Sequence, residues 1–244
     1  MNSLLVGIVL FSCVYGGALL GFALRSRIPE DHLGSDTRDV LKLTTGLIGT
    51  MSAMVLGLLV ASAKSSYDKQ KDELIQICAD VALLDRGLAH YGPEAAEARR
   101  TLRTTVEDSL SRLWNRSDAP PASGESLYDA VERLPAASDA QRSTKAAASQ
   151  ITLSLGRIRS LMHAQSGRSV LKPLLVVVTL WLTVTFVSFG LYARPNRVVH
   201  VALLVSALSV ASAIYLILEM DRPFEGLIRI SDAPLRDVMS RLGS

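Results

Sequence analysis

Cysteine is scarce in this chain. Cys13 lies in an apolar run and Cys78 in a polar stretch, and there is no third, so no disulfide framework can be read from them. There is no Cys-x-x-Cys, and His32, His90, His163 and His200 stand singly, so no metal site is expected. Also missing are a nucleophile elbow, a phosphate-cradling glycine loop and a His-Glu-x-x-His helix. No catalytic residue and no cofactor is therefore expected, and the chain is not read as an enzyme. Aromatic residues make up 5% of it and the net charge is only +3. No Lys/Arg patch interleaves with aromatics, so nucleic acid is not an expected partner.

What is present is apolar length. Leu4–Leu24, Leu43–Ala63, Leu174–Ala193 and Val198–Leu218 contain no Asp, Glu, Lys or Arg. A helix needs about 20 residues to cross a hydrocarbon core roughly 30 Å thick. These runs predict four transmembrane helices, with the lipid bilayer as their surroundings. The first run has no positive segment before it and no clean small-x-small site after it, so it reads as a retained helix and not as a signal peptide. The expected segments are a first helix pair over 1–63, a helical insert over 64–172, a second hairpin over 173–219 and a polar tail over 220–244. The N-terminus, the insert and the tail then share one side. Near the span ends that side carries Lys64, Lys69, Lys71, Arg159, Arg168, Lys172, Arg222 and Arg229. The other carries Arg25, Arg27, Arg38, Lys42, Arg194 and Arg197. The small excess points to a cytoplasmic insert.

The second run does not end its helix at the membrane. Lys64–His90 has no proline, and Leu74, Ile77, Val81, Leu84 and Leu88 recur at steps of three and four. That spacing makes one apolar seam. Tyr91-Gly92-Pro93 ends the helix, with Pro93 suited to the first turn of the next. Glu94–Trp114 repeats the pattern through Leu102, Val106, Leu110 and Leu113. Ser117–Glu125 reads as a loop and Ser126–Leu134 as a short helix. Ala140–Gln165 carries Ile151, Leu155, Ile158 and Met162 on one face. The insert should be an antiparallel helical bundle. Arg194-Pro195-Asn196-Arg197 should be a tight turn joining the last two spans. Before the second span, Ile28-Pro29 breaks the chain and Gly34-Ser35-Asp36 reads as an N-cap turn.

One face of the second span is unusual. Lys42, Gly46, Gly49, Ala53, Gly57, Val60 and Lys64 follow one another at steps of three or four. At about 100° per residue, Lys42 and Lys64 fall within about 40° of the same face. Two readings are open. Small residues let helices pack closely, with lysines reaching the headgroups at either end. Alternatively, the face lines an aqueous path, with lysines concentrating anions at its mouths and hydroxyls such as Thr50 partly replacing water. Gly16-Gly17 and Gly21 lie in an apolar run and read as a packing face. Thr179, Thr183, Ser188, Ser206, Ser209 and Ser212 should bond a carbonyl one turn back or a neighbouring helix. Glu219 and Asp221 leave the last span at its edge, where an ion pair with Arg222 or a capping role fits.

Ser65-Ser66-Tyr67-Asp68-Lys69, followed by Asp72 and Glu73, resembles the Ser-x-Tyr-Asp-Arg-x-x-Glu stretch after the second span of bestrophins. Asp221-Arg222-Pro223-Phe224-Glu225-Gly226 resembles their Asn-Pro-Phe-Gly-Glu-Asp segment. The segment from His32 to Asp68 is closer still to the bacterial bestrophin-like family. Leu84-Asp85-Arg86, His90-Tyr91-Gly92-Pro93-Glu94 and Ile228-Arg229-Ile230-Ser231-Asp232-Ala233-Pro234 show the same likeness. The resemblance implies an all-α membrane protein with four transmembrane helices and a cytosolic helical insert between the second and third. It further implies a homopentameric anion channel whose axis is lined by the second span, in a bacterial inner membrane. Gly46, Gly49, Thr50, Ala53, Gly57 and Val60 would line the path, Lys42 and Lys64 would attract small inorganic anions such as chloride, and Ser65, Tyr67, Asp68, Pro223 and Phe224 are the shared motif. The chain departs from that pattern in three places. The second span has no aromatic residue, Gln70 and Lys71 replace an aromatic pair, and no acidic run follows Phe224, so calcium gating is not expected. The rival class is a non-conducting membrane scaffold or sensor whose insert docks a cytosolic partner.

Overall fold

The computed structural model describes residues 3–27, 35–115, 124–165, 171–221, 223–224 and 226–242. Eight α-helices are found among them: α1 (Ser3–Arg25), α2 (Ser35–Tyr91), α3 (Ala96–Asn115), α4 (Gly124–Glu132), α5 (Asp139–Gln165), α6 (Leu171–Tyr192), α7 (Arg197–Met220) and α8 (Ala233–Arg241). The described residues contain no strand. Four of the helices are long and apolar enough to cross a membrane: α1, α2, α6 and α7. This is an all-α membrane protein. Gly34 and most of the loop at Ser117–Glu125 lie outside the described residues; Ser35 and Asp36 of the expected turn already belong to α2, and Gly124 and Glu125 to α4.

The chain forms two compact units. One comprises Met1–Tyr67 with Ser169–Arg222, the other Asp68–Arg168 with Pro223–Ser244. α2 contributes to both, because nothing between Ser35 and Tyr91 interrupts its hydrogen-bond ladder: no proline occurs there. It stops where Gly92 takes φ 115°, a left-handed value that favours glycine. Pro93–Ala95 then makes a single 3₁₀ turn into α3, with Pro93 in its first position.

In the first unit, α1 and α6 meet backbone to backbone. A Cβ placed on Gly21 would lie 2.2 Å from the Val187 carbonyl oxygen, and one on Gly190 would lie 2.2 Å from that of Ala18. Gly17 faces Thr183 at the same crossing, whereas Gly16 has nothing within 4 Å. Above this crossing, Leu10, Val14 and Ala18 pack with Val178, Leu182 and Phe186 of α6 and with Leu203, Ala207, Ile214 and Ile217 of α7, while α2 adds Leu59 and Ala63. Arg25 donates to the carbonyls of Tyr192 (2.7 Å) and Leu191 (3.3 Å), closing the C-terminus of α6 with a cation. The hydroxyls of Thr179, Thr183, Ser188, Ser209 and Ser212 donate to the carbonyl one turn back, which removes their polarity from the lipid side.

In the second unit the seam of α2 is the core. Leu74, Val81, Leu84 and Leu88 are buried. Val81, Leu84 and Leu88 pack with Leu102 and Val106 of α3, Leu127 and Val131 of α4 and Ala148 of α5, with Ile77, Ile151 and Leu155 half-covered beside them. Leu113 and Met162, also placed on that seam, have side chains outside the described set. The tail is not simply a polar appendage. α8 starts at Asp232-Ala233-Pro234 and buries Leu235, with Leu242 just beyond it, in this same core, with Val238 and Met239 half-buried.

Candidate functional site

The candidate site is the membrane-spanning part of α2, and three faces can be told apart there. Thr45, Ser52, Leu59 and Ala63 are covered by the rest of the first unit. Leu43, Leu47, Met54 and Leu58 form a bulky apolar face that the chain leaves bare, Leu43 at 75% and Met54 at 71% exposed. Between these lies the stripe of small residues. Gly46, Thr50, Ala53, Gly57 and Val60 are exposed and Gly49 is half-covered. A Cβ added to Gly46, Gly49 or Gly57 would meet nothing within 4 Å. The stripe is therefore not used for packing inside one chain, in contrast to Gly17, Gly21 and Gly190. Of the four spans, α2 has the smallest buried share, 17% against 28–33% for the others.

The polar groups along the stripe have defined partners. Thr50 donates its proton to the carbonyl of Leu47 at 2.8 Å, so its hydroxyl hydrogen is committed to its own helix. Lys42 pairs with Asp39 at 3.3 Å, both side chains well exposed. An exposed pair of this kind contributes little stability, but the aspartate offsets part of the charge at that end. Lys64, at the other end, is exposed.

The shared-motif residues divide by burial. Ser65 is exposed, Tyr67 and Asp68 are half-buried, Pro223 is buried and Phe224 half-buried. The Ile230 N–H donates to the Pro223 carbonyl at 2.6 Å and closes the loop that follows the last span. Glu219 is buried, at 5% exposure, and is hydrogen-bonded by Tyr215 one turn earlier. The ion pair expected for it with Arg222 involves a residue outside the described set. Cys13 is exposed and Cys78 buried, and both are free thiols. Burial pushes the Cys78 thiol above its ordinary range.

Sequence reading missed the polar contacts that tie the insert's helices together. Asp85 of α2 accepts from Arg99 of α3 through both carboxylate oxygens, at 2.8 and 3.1 Å. That contact pushes the guanidinium still higher than usual, against the opposing effect of burial. Glu132 of α4 accepts from Ser149 of α5 at 2.6 Å, and Lys145 of α5 closes the end of α4 through the carbonyls of Glu132 and Leu134. Asp80 of α2 is 7% exposed. It accepts from Gln76 (2.8 Å) on its own helix and from Ser154 (3.1 Å) on α5. The only sequence signal for these was an acid next to a seam position, which by itself also fits a solvated helix face. Among the described residues no cluster of His, Cys, Asp and Glu could hold a metal ion.

The model of the Bestrophin-like domain matches residues 12–235, which is most of the chain. No curated protein matches the chain. No solved structure matches it either.

Proposed function

Because the chain belongs to the bestrophin-like family, which takes its name from the bestrophin anion channels, we propose that it conducts small inorganic anions such as chloride passively. The conducting form is a homo-oligomer, a pentamer by resemblance, with the spanning part of α2 around its axis. The observation that carries this reading is the stripe of Gly46, Gly49, Ala53 and Gly57: among the described residues nothing lies within 4 Å of a Cβ placed on its glycines, and Ala53 is exposed. Small side chains leave the backbone near the axis and keep the path open. The bulky face of Leu43, Leu47, Met54 and Leu58 needs lipid or a neighbouring copy, as expected of a helix placed between subunits. Lys64 raises anion concentration at the insert end. Lys42 does the same at the other end, with Asp39 beside it. The ring resides in a bacterial inner membrane with its insert in the cytoplasm.

The test is flux in liposomes under opposed chloride and sodium gradients. Gly57→Trp should block flux while the oligomer still forms, and Lys64→Glu should shift permeation away from anions. Loss of assembly in Gly57→Trp would assign the stripe to close helix packing instead. Absence of flux from wild-type protein across several pH values and lipid mixtures would remove the channel reading. A second reading, a non-conducting scaffold, draws on the exposed apolar residues Ile75 and Leu83 of α2 and Leu153 and Leu161 of α5 on the insert. It predicts normal assembly and no flux.

A further inference from the structure

The apolar seam of the insert does not by itself fix how α2 is rotated or how far it is shifted along its axis. Leucine and valine knobs repeat every three or four residues, and a neighbouring register presents a similar surface. A buried polar contact can fix the register, because sliding leaves it unsatisfied. Asp80 makes such a contact. Asp80 as a residue is 7% exposed, and its two carboxylate oxygens accept part-buried hydrogen bonds, one from Gln76 and one from Ser154. Both donors are neutral, and among the described residues no cation pairs with it. A buried carboxylate held only by neutral donors is a poor source of stability compared with an apolar side chain of similar size.

Two serines of α5 bond outward. Thr144, Thr152 and Ser160 donate to a carbonyl one turn back in their own helix, the usual arrangement. Ser149 donates to Glu132 of α4 and Ser154 to Asp80 of α2. Asp80–Ser154 is a side-chain hydrogen bond joining α2 to α5, placed in the seam between Ile77 and Leu84.

We propose that Asp80 and Ser154 form a register pin: they set the rotation and axial position of α2 against α5 within the insert. Asp80 is on this account a positioning residue.

The experiment uses the full chain in detergent and in liposomes, with Cys13→Ser and Cys78→Ala as background. Spin labels on Ala82→Cys of α2 and Gln150→Cys of α5, both exposed positions, report the distance between the two helices. The expected result is a narrow distribution for Asp80 and for Asp80→Asn, which keeps an oxygen for Ser154. Asp80→Leu combined with Ser154→Ala should broaden or shift it by a step of about 1.5 Å or more, the rise per residue of a helix, while melting at the same temperature or higher. A narrow, unshifted distribution in that variant overturns the pin. So does a lower melting point with an unchanged distribution, since that is the behaviour of an ordinary stabilising contact. If the double variant does not fold, Ser154→Ala alone decides, because it removes only the cross-helix bond: a broadened distribution supports the pin and an unchanged one overturns it.

Discussion

Gly21→Ala isolates the α1–α6 crossing from everything else in the chain. The added methyl carbon would sit 2.2 Å from the Val187 oxygen, 2.9 Å from Gly190 Cα and 3.0 Å from the Leu191 nitrogen. All three are backbone atoms, so no side chain can turn aside. Ordinary contact for a Cβ begins near 3.4 Å, and the helices must part by about 1 Å. Overpacking of this kind costs about 1–3 kcal/mol, and the crossing loses its closest contacts along its whole length. Alanine returns up to about 1 kcal/mol as the better helix former. The net loss should be about 1–2 kcal/mol, and at about 2–4 °C per kcal/mol for a chain of this size the melting midpoint should fall by several degrees. Gly16→Ala is the matched control. It lies on the same helix, it gains the same propensity, and its methyl group meets nothing within 4 Å. Purified protein in detergent, heated and assayed by size-exclusion chromatography, gives both midpoints. If Gly21→Ala melts with Gly16→Ala, the backbone contact between α1 and α6 is not what holds them together.

Val81→Asp should abolish the folded insert. Val81 is 2% exposed at the centre of the seam; the change forfeits about 1.5–3 kcal/mol of burial and leaves a carboxylate with no partner. A variant that retains the melting point and elution volume of wild type would falsify the seam. Cys78 should resist a water-soluble maleimide at neutral pH in folded protein, through both burial and a thiol held above its ordinary range, and react fast once the chain is unfolded; equal rates in the two states would show the seam open at that point. Ser123→Cys, in a background without the native thiols, tests topology: labelling only after cell lysis is expected for a cytoplasmic insert, and labelling of intact cells would invert it.

Much of this architecture was legible because it rests on long apolar stretches and on periodicity. The four runs match α1, the first part of α2, α6 and α7, differing by a few residues at their ends where helices extend into polar sequence. The leucine seam predicted that α2 continues past Ala63, and its members are covered as the spacing required. α8 was missed although Leu235, Val238, Met239 and Leu242 have helical spacing, because nine residues offer too short a window beside a proline. The pins and pairs of the insert were missed for a different reason. Asp80, Asp85, Glu132 and Lys145 look like surface charges until their neighbours in space are known, and those neighbours sit on or next to other helices, 11–17 residues away in sequence or, for Asp80 and Ser154, 74. The stripe on α2 was visible as a pattern, while its bareness within the chain was not, since Gly21 and Gly57 look alike until something is placed against them.

The position of α8 bears on how the protein is made. Leu235 of α8 and Leu242 just after it belong to a core otherwise built from residues 77–155, yet they leave the ribosome only after both helices of the second hairpin. The insert therefore waits, with part of its apolar surface uncovered, while α6 and α7 enter the bilayer. Chains cut short between α7 and α8 would carry the four membrane helices and an unfinished insert. Quality control that recognises exposed apolar surface would tell them from chains that include α8 without inspecting the membrane part at all.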